Sequence, residues 1–528
     1  MDNAAVAARL DEYAALLELA GAGYYTYRAY RRAAELIRGL PAPVDELVRS
    51  GRVRELRGIG PSIEARLREL VETGTIAELE ELERTVSPEL AALGRLLGIG
   101  AQRAVEIGNA LGIRTGDELR AAAAEGRLRE VRGIGPKTEA RIAAALERDV
   151  TAVGRPVLLH RARALVERIA DELGGVAAGD PRRWKDENTW LAVAAGEGDL
   201  ESVSEIVAMV APNVGITVEG IPVELHAAPA ASFGTALVRA TGSRQFIAAL
   251  EPLPEAPTEE GVFAALGMPF VPPELREGAP TSHVPELVEL DEIRGDLHAH
   301  TTWSDGKASV LEMGEAARAR GYEYLAICDH TPNVTVVPGL DADALRRQAE
   351  EIAAANAELA SFRVLRGAEC DIRRDGTLDL PDDVLDELEW VQLSLHAGQR
   401  APRKEITARV VEAMRHPAVR CLSHPTGRLI GHRPENALDL ERVFEVCLET
   451  GVALEVNGLP DRLDLSGEHV REALAAGVRI VCSTDAHSVG GLGNMPLSVH
   501  TARRGGARRG DVLNTGRLTD VLGGRRRA

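Results

Sequence analysis

Lysine, paired cysteine motifs and long apolar runs are what this 528-residue sequence lacks. It has four lysines against 58 arginines, and residues 1–136 contain no lysine, which excludes catalysis by a lysine amine there. The five cysteines form no CxxC pair, so we expect reduced thiols, a cytoplasmic location and buried packing for all five. Since no apolar run reaches about 18 residues and no basic leader is present, we expect neither a membrane partner nor a signal peptide.

Charge and histidine are unevenly distributed along the chain. The net charge is −19, of which residues 1–150 contribute −2 (22 basic and 24 acidic) and the remaining residues −17. Such an acidic balance excludes a surface that coats nucleic acid broadly, but it leaves local contacts possible. Ten of the 13 histidines lie between residues 298 and 500, which indicates a metal or catalytic centre in that region.

A short motif occurs three times within the helical pattern of residues 1–150. The copies are "LRGIGPSIEARL" (56–67), "LLGIGAQRAVEI" (96–107) and "VRGIGPKTEARI" (131–142). Glycines before a helix expose backbone N–H groups that bind an anion such as a DNA phosphate. One copy alone is more often a plain turn between helices, but three copies with matching flanks favour DNA-binding hairpins. The candidate DNA contacts are Gly58, Gly60, Gly98, Gly100, Gly133, Gly135 and Lys137.

The pattern changes twice after residue 150. Residues 151–250 combine an amphipathic helix with strand-like runs and predict a small α/β domain. Residues 251–290 are rich in proline and glutamate and indicate a linker with short helical pieces. From residue 291, seven strand-like segments alternate with helices, which predicts a barrel whose functional side chains follow the carboxyl ends of the strands.

Nearly every one of those seven strands ends in a histidine or a carboxylate. Strand ends converge at one mouth of a barrel, so these side chains should form one cluster. Nine ligands exceed what one ion takes, and mixed imidazole and carboxylate suit zinc, manganese or iron. We therefore predict two or three divalent ions of the kind used in phosphate ester hydrolysis. The predicted ligands are His298, His300, Asp305, His330, Glu369, His396, His424, Asp485 and His487.

The motifs "DLHAHTTWSDG", "ICDH", "GAECDI", "SLH", "SHPTGR" and "STDAH" resemble those of the polymerase and histidinol phosphatase (PHP) domain. With the three hairpins and "YYTYRAYRRAA" at 24–34, the whole chain resembles the bacterial family-X DNA polymerase/3′-5′ exonucleases (PolX). The resemblance implies a DNA-repair role, a polymerase core and a metal-dependent 3′-5′ exonuclease. It assigns catalytic roles to Asp485 and His487, and Arg428 is placed to hold a substrate phosphate.

The implied architecture is an all-α helix-hairpin-helix region, a small α/β palm resembling polymerase β, and a distorted (β/α)7 PHP barrel. Expected boundaries are 1–80 for a helical DNA-binding domain, 81–150 for a fingers-like hairpin region, 151–250 for the palm, 251–290 for a linker or thumb remnant, and 291–528 for the PHP domain.

The palm departs from the family at its metal-binding positions. Two of the family's three aspartates align with Trp190 and Ala192 in "GDPRRWKDENTWLAV" (179–193), and the third aligns with Glu224. Tryptophan and alanine cannot bind Mg²⁺, so we expect a folded palm without polymerase activity. Asp186 and Glu187 are an alternative pair of ligands, but they lie upstream in the expected turn. The lysine of a related lyase activity aligns with Arg66, which predicts no Schiff-base chemistry.

Our first hypothesis is a metal-dependent phosphodiesterase that acts at DNA 3′ ends. A small-molecule phosphatase of the histidinol-phosphate type, a non-catalytic DNA-binding protein and an active family-X polymerase remain alternatives. The arginine tract "ARRGGARRG" (502–510) is a further candidate for phosphate contacts, whereas "GGRRRA" (523–528) is more typical of a solvated tail.

Overall fold

The computed structural model describes residues 3–20, 22–38, 40, 43–146, 156–280, 283–334 and 337–523. These residues form two compact units, each assembled from separate stretches of the chain. The first comprises Met1–Arg155, Val166–Ala177 and Thr189–Ala230, and the second comprises Pro156–Leu165, Ala178–Asn188 and Ala231–Ala528. The predicted domain boundary at residue 150 and most of the "GGRRRA" tail lie outside the described residues. Within the described ranges, no helix combines the length and apolar character needed to cross a bilayer.

Helices fill the first part of the chain, as the sequence predicts. They are α1 (Asn3–Leu19), α2 (Tyr24–Arg38), α3 (Val44–Arg49), α4 (Pro61–Thr73), α5 (Ala77–Thr85), α6 (Pro88–Leu96), α7 (Ala101–Leu111), α8 (Gly116–Ala124), α9 (Pro136–Leu146) and α10 (Leu159–Glu172). Three of them begin with proline, whose fixed φ suits a first helical position where no N–H partner is needed. Leu10 of α1 and Leu67 of α4 are fully buried in one core cluster. Each such side chain contributes about 1.5–3 kcal/mol to stability by burial.

Seven short strands follow these helices or interrupt them. They are β1 (Val157–Leu158), β2 (Val176–Gly179), β3 (Glu187–Asn188), β4 (Leu191–Ala195), β5 (Ile206–Ala211), β6 (Val214–Thr217) and β7 (Pro222–Ala227). β1 and β3 pair with each other, and the other five form a mixed sheet in the order β2-β4-β7-β6-β5. The small α/β sheet predicted for this stretch is therefore present.

Seven parallel strands form the barrel that the sequence predicts for the last part of the chain. They are β8 (Gly295–Ala299), β9 (Tyr324–Ile327), β10 (Arg363–Asp371), β11 (Trp390–Ser394), β12 (Val419–Leu422), β13 (Ala453–Asn457) and β14 (Ile480–Ser483). Their order in the sheet follows the chain from β8 to β14. A bridge between Ala299 and Ala486, with the His300 N–H donating to the Ala486 carbonyl at 2.8 Å, joins the first and last strands. The ring is thus nearly closed.

Helices of the second unit precede, separate and follow the barrel strands. They are α11 (Phe233–Thr241), α12 (Arg244–Leu250), α13 (Glu259–Ala265), α14 (Val310–Ala319), α15 (Ala342–Glu358), α16 (Asp382–Glu387), α17 (Arg403–Ala413), α18 (Leu440–Thr450), α19 (Gly467–Ala475), α20 (Met495–Arg504) and α21 (Leu518–Leu522). Ser309 and Glu312 form a capping box that fixes the start of α14. A helix separates each pair of successive barrel strands, and such crossover connections join strands that run in the same direction.

The barrel interior has an apolar end and a polar end. Leu365, Trp390 and Val481 belong to one buried cluster. Leu365 precedes Glu369 by four residues within β10, so the two side chains share a strand face, and Val481 lies on β14 just before Asp485. The same faces therefore fill the barrel at one end and carry ionisable side chains at the mouth.

Residues 251–280 are more structured than the predicted linker. They contain α13, and Val262, Phe263 and Val271 pack with Phe246 in a core of their own. Glu259, Glu274 and Arg276 are buried as well, because each is held in ion pairs. The proline and glutamate content that indicated a linker reflects turns and buried salt bridges here.

Candidate functional site

The nine residues predicted as ligands all lie at the carboxyl ends of barrel strands. His298 and Glu369 are within β8 and β10, and the others follow β8, β9, β11, β12 or β14 directly. Parallel strands present these ends at one mouth, which brings together side chains up to 189 positions apart in the sequence. His424 and Asp485 have positive φ values of 25° and 51°, an unusual conformation for residues with side chains that often marks functional positions.

Asp305 and the three histidines around it form one group of four side chains. Its carboxylate oxygens lie 3.3 Å from His487 Nε2, 3.6 Å from His330 Nε2 and 3.8 Å from His300 Nδ1. One potential ligand atom from each of these four residues lies within 4.8 Å of all the others. Three imidazoles around a carboxylate form a donor set that suits a divalent transition metal.

Two further groups adjoin the first through His300 and His330. His300 Nε2 lies 3.1 Å from Asp485 Oδ1 and 3.2 Å from His298 Nε2. His330 Nδ1 lies 2.9 Å from Glu369 Oε2, and His396 Nε2 lies 3.8 Å from Glu369 Oε1. These sets also satisfy the geometry of a metal site, and because they share residues with the first group, all belong to one cluster.

His424 completes the cluster at Glu369. Its Nε2 atom lies 2.9 Å from Glu369 Oε1, on the oxygen that also faces His396. The structure therefore brings together all nine predicted residues. The remaining C-terminal histidines serve elsewhere: His469 pairs with Glu435, His500 with Glu274, and His416 with Asp382, and His432 joins none of these metal-like groups in the described residues.

The acidic members of the cluster are held in their charged form. Burial alone would raise the pKa of Glu369 and of Asp485, but the surrounding imidazoles hold both well below their ordinary values. Burial opposes the charged form of His330, yet Glu369 and Asp305 raise its pKa to about 10. The carboxylates and the imidazoles at the mouth thus stabilise each other's charged forms.

The donor atoms at the mouth also match those that metal ions bind. Among the described residues, the buried Nδ1 atoms of His300 and His424 have no hydrogen-bond partner. Each buried polar atom without a partner lowers the stability of the fold by about 1–3 kcal/mol. A metal ion bound to such an atom would remove this cost. Ionised carboxylates together with imidazoles match zinc, manganese and iron.

Glu455 on β13 is a functional residue that the sequence reasoning missed. It is fully buried, and its Oε1 atom lies 2.6 Å from His298 Nδ1. Since an ionised carboxylate only accepts, Nδ1 carries the proton and Nε2 keeps its lone pair towards the cluster. Its Oε2 atom accepts the His424 N–H at 2.6 Å. A glutamate inside the apolar run "VALEVNG" was the available signal.

Arg428, predicted to hold a phosphate, lies at the mouth with most of its guanidinium already bonded. Nε donates to the Arg462 carbonyl at 2.8 Å, and Nη2 donates to the Leu463 carbonyl and to Asp186. Arg462 is closer to the cluster, with Nε 3.9 Å from Asp485 Oδ2. Its Nη1 atom is buried and lacks a partner within the described residues.

The arginine tract at 502–510 contributes mainly to internal ion pairs. Arg503 donates to Glu274 at 2.7 Å and to the Val288 carbonyl at 2.8 Å, and Arg504 donates to Asp186 at 2.7 Å. Both side chains are largely buried. The phosphate contacts considered for this tract are therefore not available from these two arginines in this conformation.

The first and third glycine hairpins share one geometry. Gly58 and Gly133 have positive φ, whereas Gly60 and Gly135 are not in the left-handed region and immediately precede α4 and α9. The isoleucine between each pair of glycines is buried and anchors the loop, and the glycines face solvent or a partly open surface. Within the described residues, the N–H groups of Gly60 and Gly135 make no hydrogen bond. Lys137 is exposed in the first turn of α9.

The middle hairpin differs from the other two. Both Gly98 and Gly100 have positive φ there, and the Gly100 N–H donates to the Gly94 carbonyl at 2.9 Å. This bond uses a donor that the other two hairpins leave available. The predicted phosphate contacts therefore have a better backbone geometry at the first and third copies.

The three positions predicted for the palm metal ligands lie close together. Ala192 on β4 pairs with Glu224 on β7, and Trp190 Nε1 donates to Glu224 at 2.9 Å. Glu224 also lies 3.3 Å from His226 Nε2, whose hydrogen bond is the main cause that lowers the Glu224 pKa.

Arg66 lines a cavity of about 760 Å³ beside the first hairpin. Tyr13, Tyr25 and Tyr30 line the same cavity. The Arg66 guanidinium lies 2.9 Å from Glu69 and is also bonded to Glu78. Its pKa is raised above its already high ordinary value, because hydrogen bonds and charge outweigh burial, so it stays protonated.

Three protein families match parts of the chain. Residues 1–76 match a helix-hairpin-helix domain, residues 90–148 a SAM-like helix-hairpin-helix tandem, and residues 296–457 the PHP domain. The first two contain the three hairpins, and the third contains seven of the nine clustered residues. PHP domains are metal-dependent, in agreement with the donor set at the barrel mouth.

Known proteins resemble both the whole chain and its barrel. The chain is 32% identical to a protein named "Probable phosphatase" from Acetivibrio thermocellus over 201 residues. This match covers 36% of this chain and 78% of the relative. A protein of similar name from Photobacterium profundum is 29% identical over 210 residues, 38% of this chain and 80% of its own. The DNA polymerase/3′-5′ exonuclease PolX of Bacillus subtilis is 32% identical over 556 residues and covers 97% of each chain. This chain therefore belongs to the family of the DNA polymerase/3′-5′ exonuclease PolX, with helix-hairpin-helix domains and a metal-dependent PHP domain.

Proposed function

We propose that this chain is a metal-dependent phosphodiesterase that shortens DNA from its 3′ end and that its palm does not polymerise. The observation that carries the proposal is the convergence of nine histidine and carboxylate side chains at the barrel mouth. The family supplies the context, since the relative from Bacillus subtilis is named for both activities.

The cluster would hold two or three ions of manganese, zinc or iron. The three overlapping groups described above are the candidate positions, and Glu369 and Asp305 each face several imidazoles. Divalent ions in such a site activate water and neutralise the charge on the phosphoryl oxygens. Glu455 fixes the tautomer of His298, and the Asp485 carbonyl, 2.8 Å from His487 Nδ1, fixes that of His487.

Two side chains at the rim have roles beyond metal binding in this proposal. His487 is the most exposed of the nine, with 31% of its side chain accessible, and its Nε2 atom could either bind an ion or pass a proton to the leaving group, but not both at once. Arg462, whose Nε lies 3.9 Å from Asp485 Oδ2 and whose Nη1 makes no hydrogen bond within the described residues, would bind a non-bridging phosphate oxygen. Arg428 supports it through the Arg462 carbonyl.

DNA would be held by backbone contacts at the first and third hairpins. Their available N–H groups stand at helix N-termini, where the helix dipole favours a phosphate. Such contacts recognise the phosphate backbone and not the base sequence. This mode suits an enzyme that acts at strand ends of any sequence.

The palm is proposed to be inactive because it keeps one of three metal-binding carboxylates. In addition, its two motif arginines are engaged internally: Arg182 binds Glu259 at 2.7 and 2.8 Å, and Arg183 lies 3.0 Å from Glu277. Primer extension with dNTPs and Mg²⁺ or Mn²⁺ tests this point. Extension that persists in a variant with a disabled PHP cluster would contradict it.

The nuclease is tested with an oligonucleotide labelled at its 5′ end and incubated with Mn²⁺. The wild type should shorten it stepwise, whereas His298→Ala and Asp485→Ala should be inactive. His469→Ala is a matched control, because this histidine is also paired with a glutamate but lies outside the cluster. Shortening by both cluster variants at the wild-type rate would refute the assignment.

A small-molecule phosphatase is the second candidate, favoured by the relatives named as phosphatases that match the barrel. Phosphate release from histidinol phosphate without DNA shortening would support it. The five buried cysteines are consistent with the cytoplasmic location that we propose for either activity.

A further inference from the structure

The segment just before the predicted metal positions of the palm belongs to the unit that contains the barrel. Residues 179–188, "GDPRRWKDEN", belong to the same compact unit as the barrel. Trp184 stacks on His500 of α20 with ring centroids 3.7 Å apart and planes at 5°. The Arg163 guanidinium lies 3.9 Å from the Trp184 ring centroid. An aromatic and a cationic side chain thus fix this segment beside the barrel.

Asp186 binds two arginines of the same unit. Its Oδ2 atom accepts from Arg428 at 2.6 Å, and its Oδ1 atom accepts from Arg504 at 2.7 Å. Only 16% of the Asp186 side chain and 12% of each arginine side chain are exposed. Because the pairs are largely desolvated, they are stronger than surface ion pairs, and loss of the carboxylate would leave two poorly compensated cations.

Arg428 transmits this contact to two loops at the barrel mouth. It lies in the loop that follows β12, four residues after His424, and it donates to the carbonyls of Arg462 and Leu463 in the loop that follows β13. Asp464 joins the same loops by accepting the Gly427 N–H at 2.8 Å. Arg462, whose carbonyl is held in this way, places its own guanidinium 3.9 Å from Asp485.

We propose that Asp186 is a positioning residue of the phosphodiesterase centre. It fixes Arg428, and through Arg428 it holds the loops that carry His424 and Arg462 in the geometry that binds the reacting phosphate. This segment, which the family resemblance assigns to the palm, thus serves the barrel. This inference rests on the proposed function in that it assumes phosphodiester chemistry at the mouth, but it does not require that the substrate be DNA.

The same contacts argue against the alternative role of Asp186 as a ligand for polymerase metals. Both of its oxygens are bonded to guanidinium groups, so a divalent ion would have to displace two ion pairs. The neighbouring Glu187 is exposed on the short strand β3. Its substitution by glutamine removes the same charge at the adjacent position and provides a matched control.

The experiment compares Asp186→Asn, Asp186→Glu and Glu187→Gln with the wild type, each loaded with Mn²⁺. The substrates are the p-nitrophenyl ester of thymidine 5′-monophosphate and a 5′-labelled oligonucleotide. Rates are normalised to bound manganese, and circular dichroism reports the folded fraction. Affinity for thymidine 5′-monophosphate is measured in parallel, so the comparison does not depend on turnover.

We expect Asp186→Asn to keep its metal and to lose between about tenfold and about 100-fold in kcat/KM, as displaced positioning groups do. Its affinity for thymidine 5′-monophosphate should weaken, Asp186→Glu should recover part of the loss, and Glu187→Gln should match the wild type. Wild-type values for Asp186→Asn, or a loss explained fully by missing metal or unfolded protein, would overturn the inference. A wild type that cleaves the ester but not DNA would refute the proposed DNA function alone.

Discussion

The hydrogen bond from His298 to Glu455 allows a prediction about metal affinity. Glu455→Gln replaces a fully buried carboxylate with a neutral group of nearly the same shape. In the wild type, Oε1 accepts from His298 Nδ1 at 2.6 Å and from Gln392 at 2.9 Å, and Oε2 accepts the His424 N–H at 2.6 Å. All of these partners require an acceptor, and the amide nitrogen of glutamine is a donor.

The expected loss of metal affinity in Glu455→Gln follows from this mismatch between donors and acceptors. Either orientation of the glutamine amide directs N–H groups at a donor, and one unsatisfied buried donor costs about 1–3 kcal/mol. If the amide turns towards His298, the imidazole can respond by moving its proton to Nε2, and the lone pair that would bind metal is lost. Substitution of such supporting groups lowers metal affinity or activity by roughly 10–100-fold, which corresponds to about 1.4–2.7 kcal/mol.

The assay is competitive titration of Mn²⁺ or Zn²⁺ into apoprotein, with thermal unfolding to check the fold. Glu435→Gln is the control, because Glu435 also binds a histidine, His469, at 3.0 Å but lies outside the cluster. We expect weaker binding for Glu455→Gln and wild-type binding for Glu435→Gln. Equal affinities in the wild type and Glu455→Gln would refute the view that this carboxylate orients His298.

Three other predictions address stability, DNA binding and lyase chemistry. Burial would raise the Glu274 pKa, but His500 and Arg503 lower it to about 2. The ionised carboxylate therefore stabilises the folded state by roughly 3 kcal/mol at neutral pH. This stabilisation is present above about pH 4.5 and is lost as the pH falls towards 2. Urea unfolding between pH 7 and pH 3 should show a smaller decline for Glu274→Gln than for the wild type, and parallel declines would contradict this. Gly135→Glu should weaken DNA binding more than Gly135→Gln, and the difference should depend on salt concentration. An added Cβ meets nothing within 4 Å at this position, so the two variants differ only in charge. Equal DNA affinities of the two variants would count against a phosphate at this loop. Borohydride should trap no covalent adduct with an abasic substrate, since residues 1–136 contain no lysine and Arg66 is the predicted counterpart of the family's lysine. An adduct mapped to residues 1–136 would disprove this.

Much of the fold can be predicted from the spacing of apolar residues and from the residue types at the ends of strands and helices. The apolar segments of the last part of the chain are close to continuous, as expected for strands buried on both faces, and all seven predicted strands are present. The three hairpin copies likewise lie at helix starts, where the glycine and proline pattern indicates them. The prediction was less complete for residues 251–280, because buried ion pairs involving Glu259 and Arg276 have the same composition as a polar linker.

The sequence by itself determined which side chains end the barrel strands, because these follow from residue type and spacing along single strands. Only the tertiary structure decided how the loops are joined. It showed that Glu455 faces His298, that the middle hairpin closes on Gly94, and that Asp186 binds Arg428. These contacts join residues between 6 and 242 positions apart. No local pattern encodes such pairs, since they depend on where the packed chain places each loop.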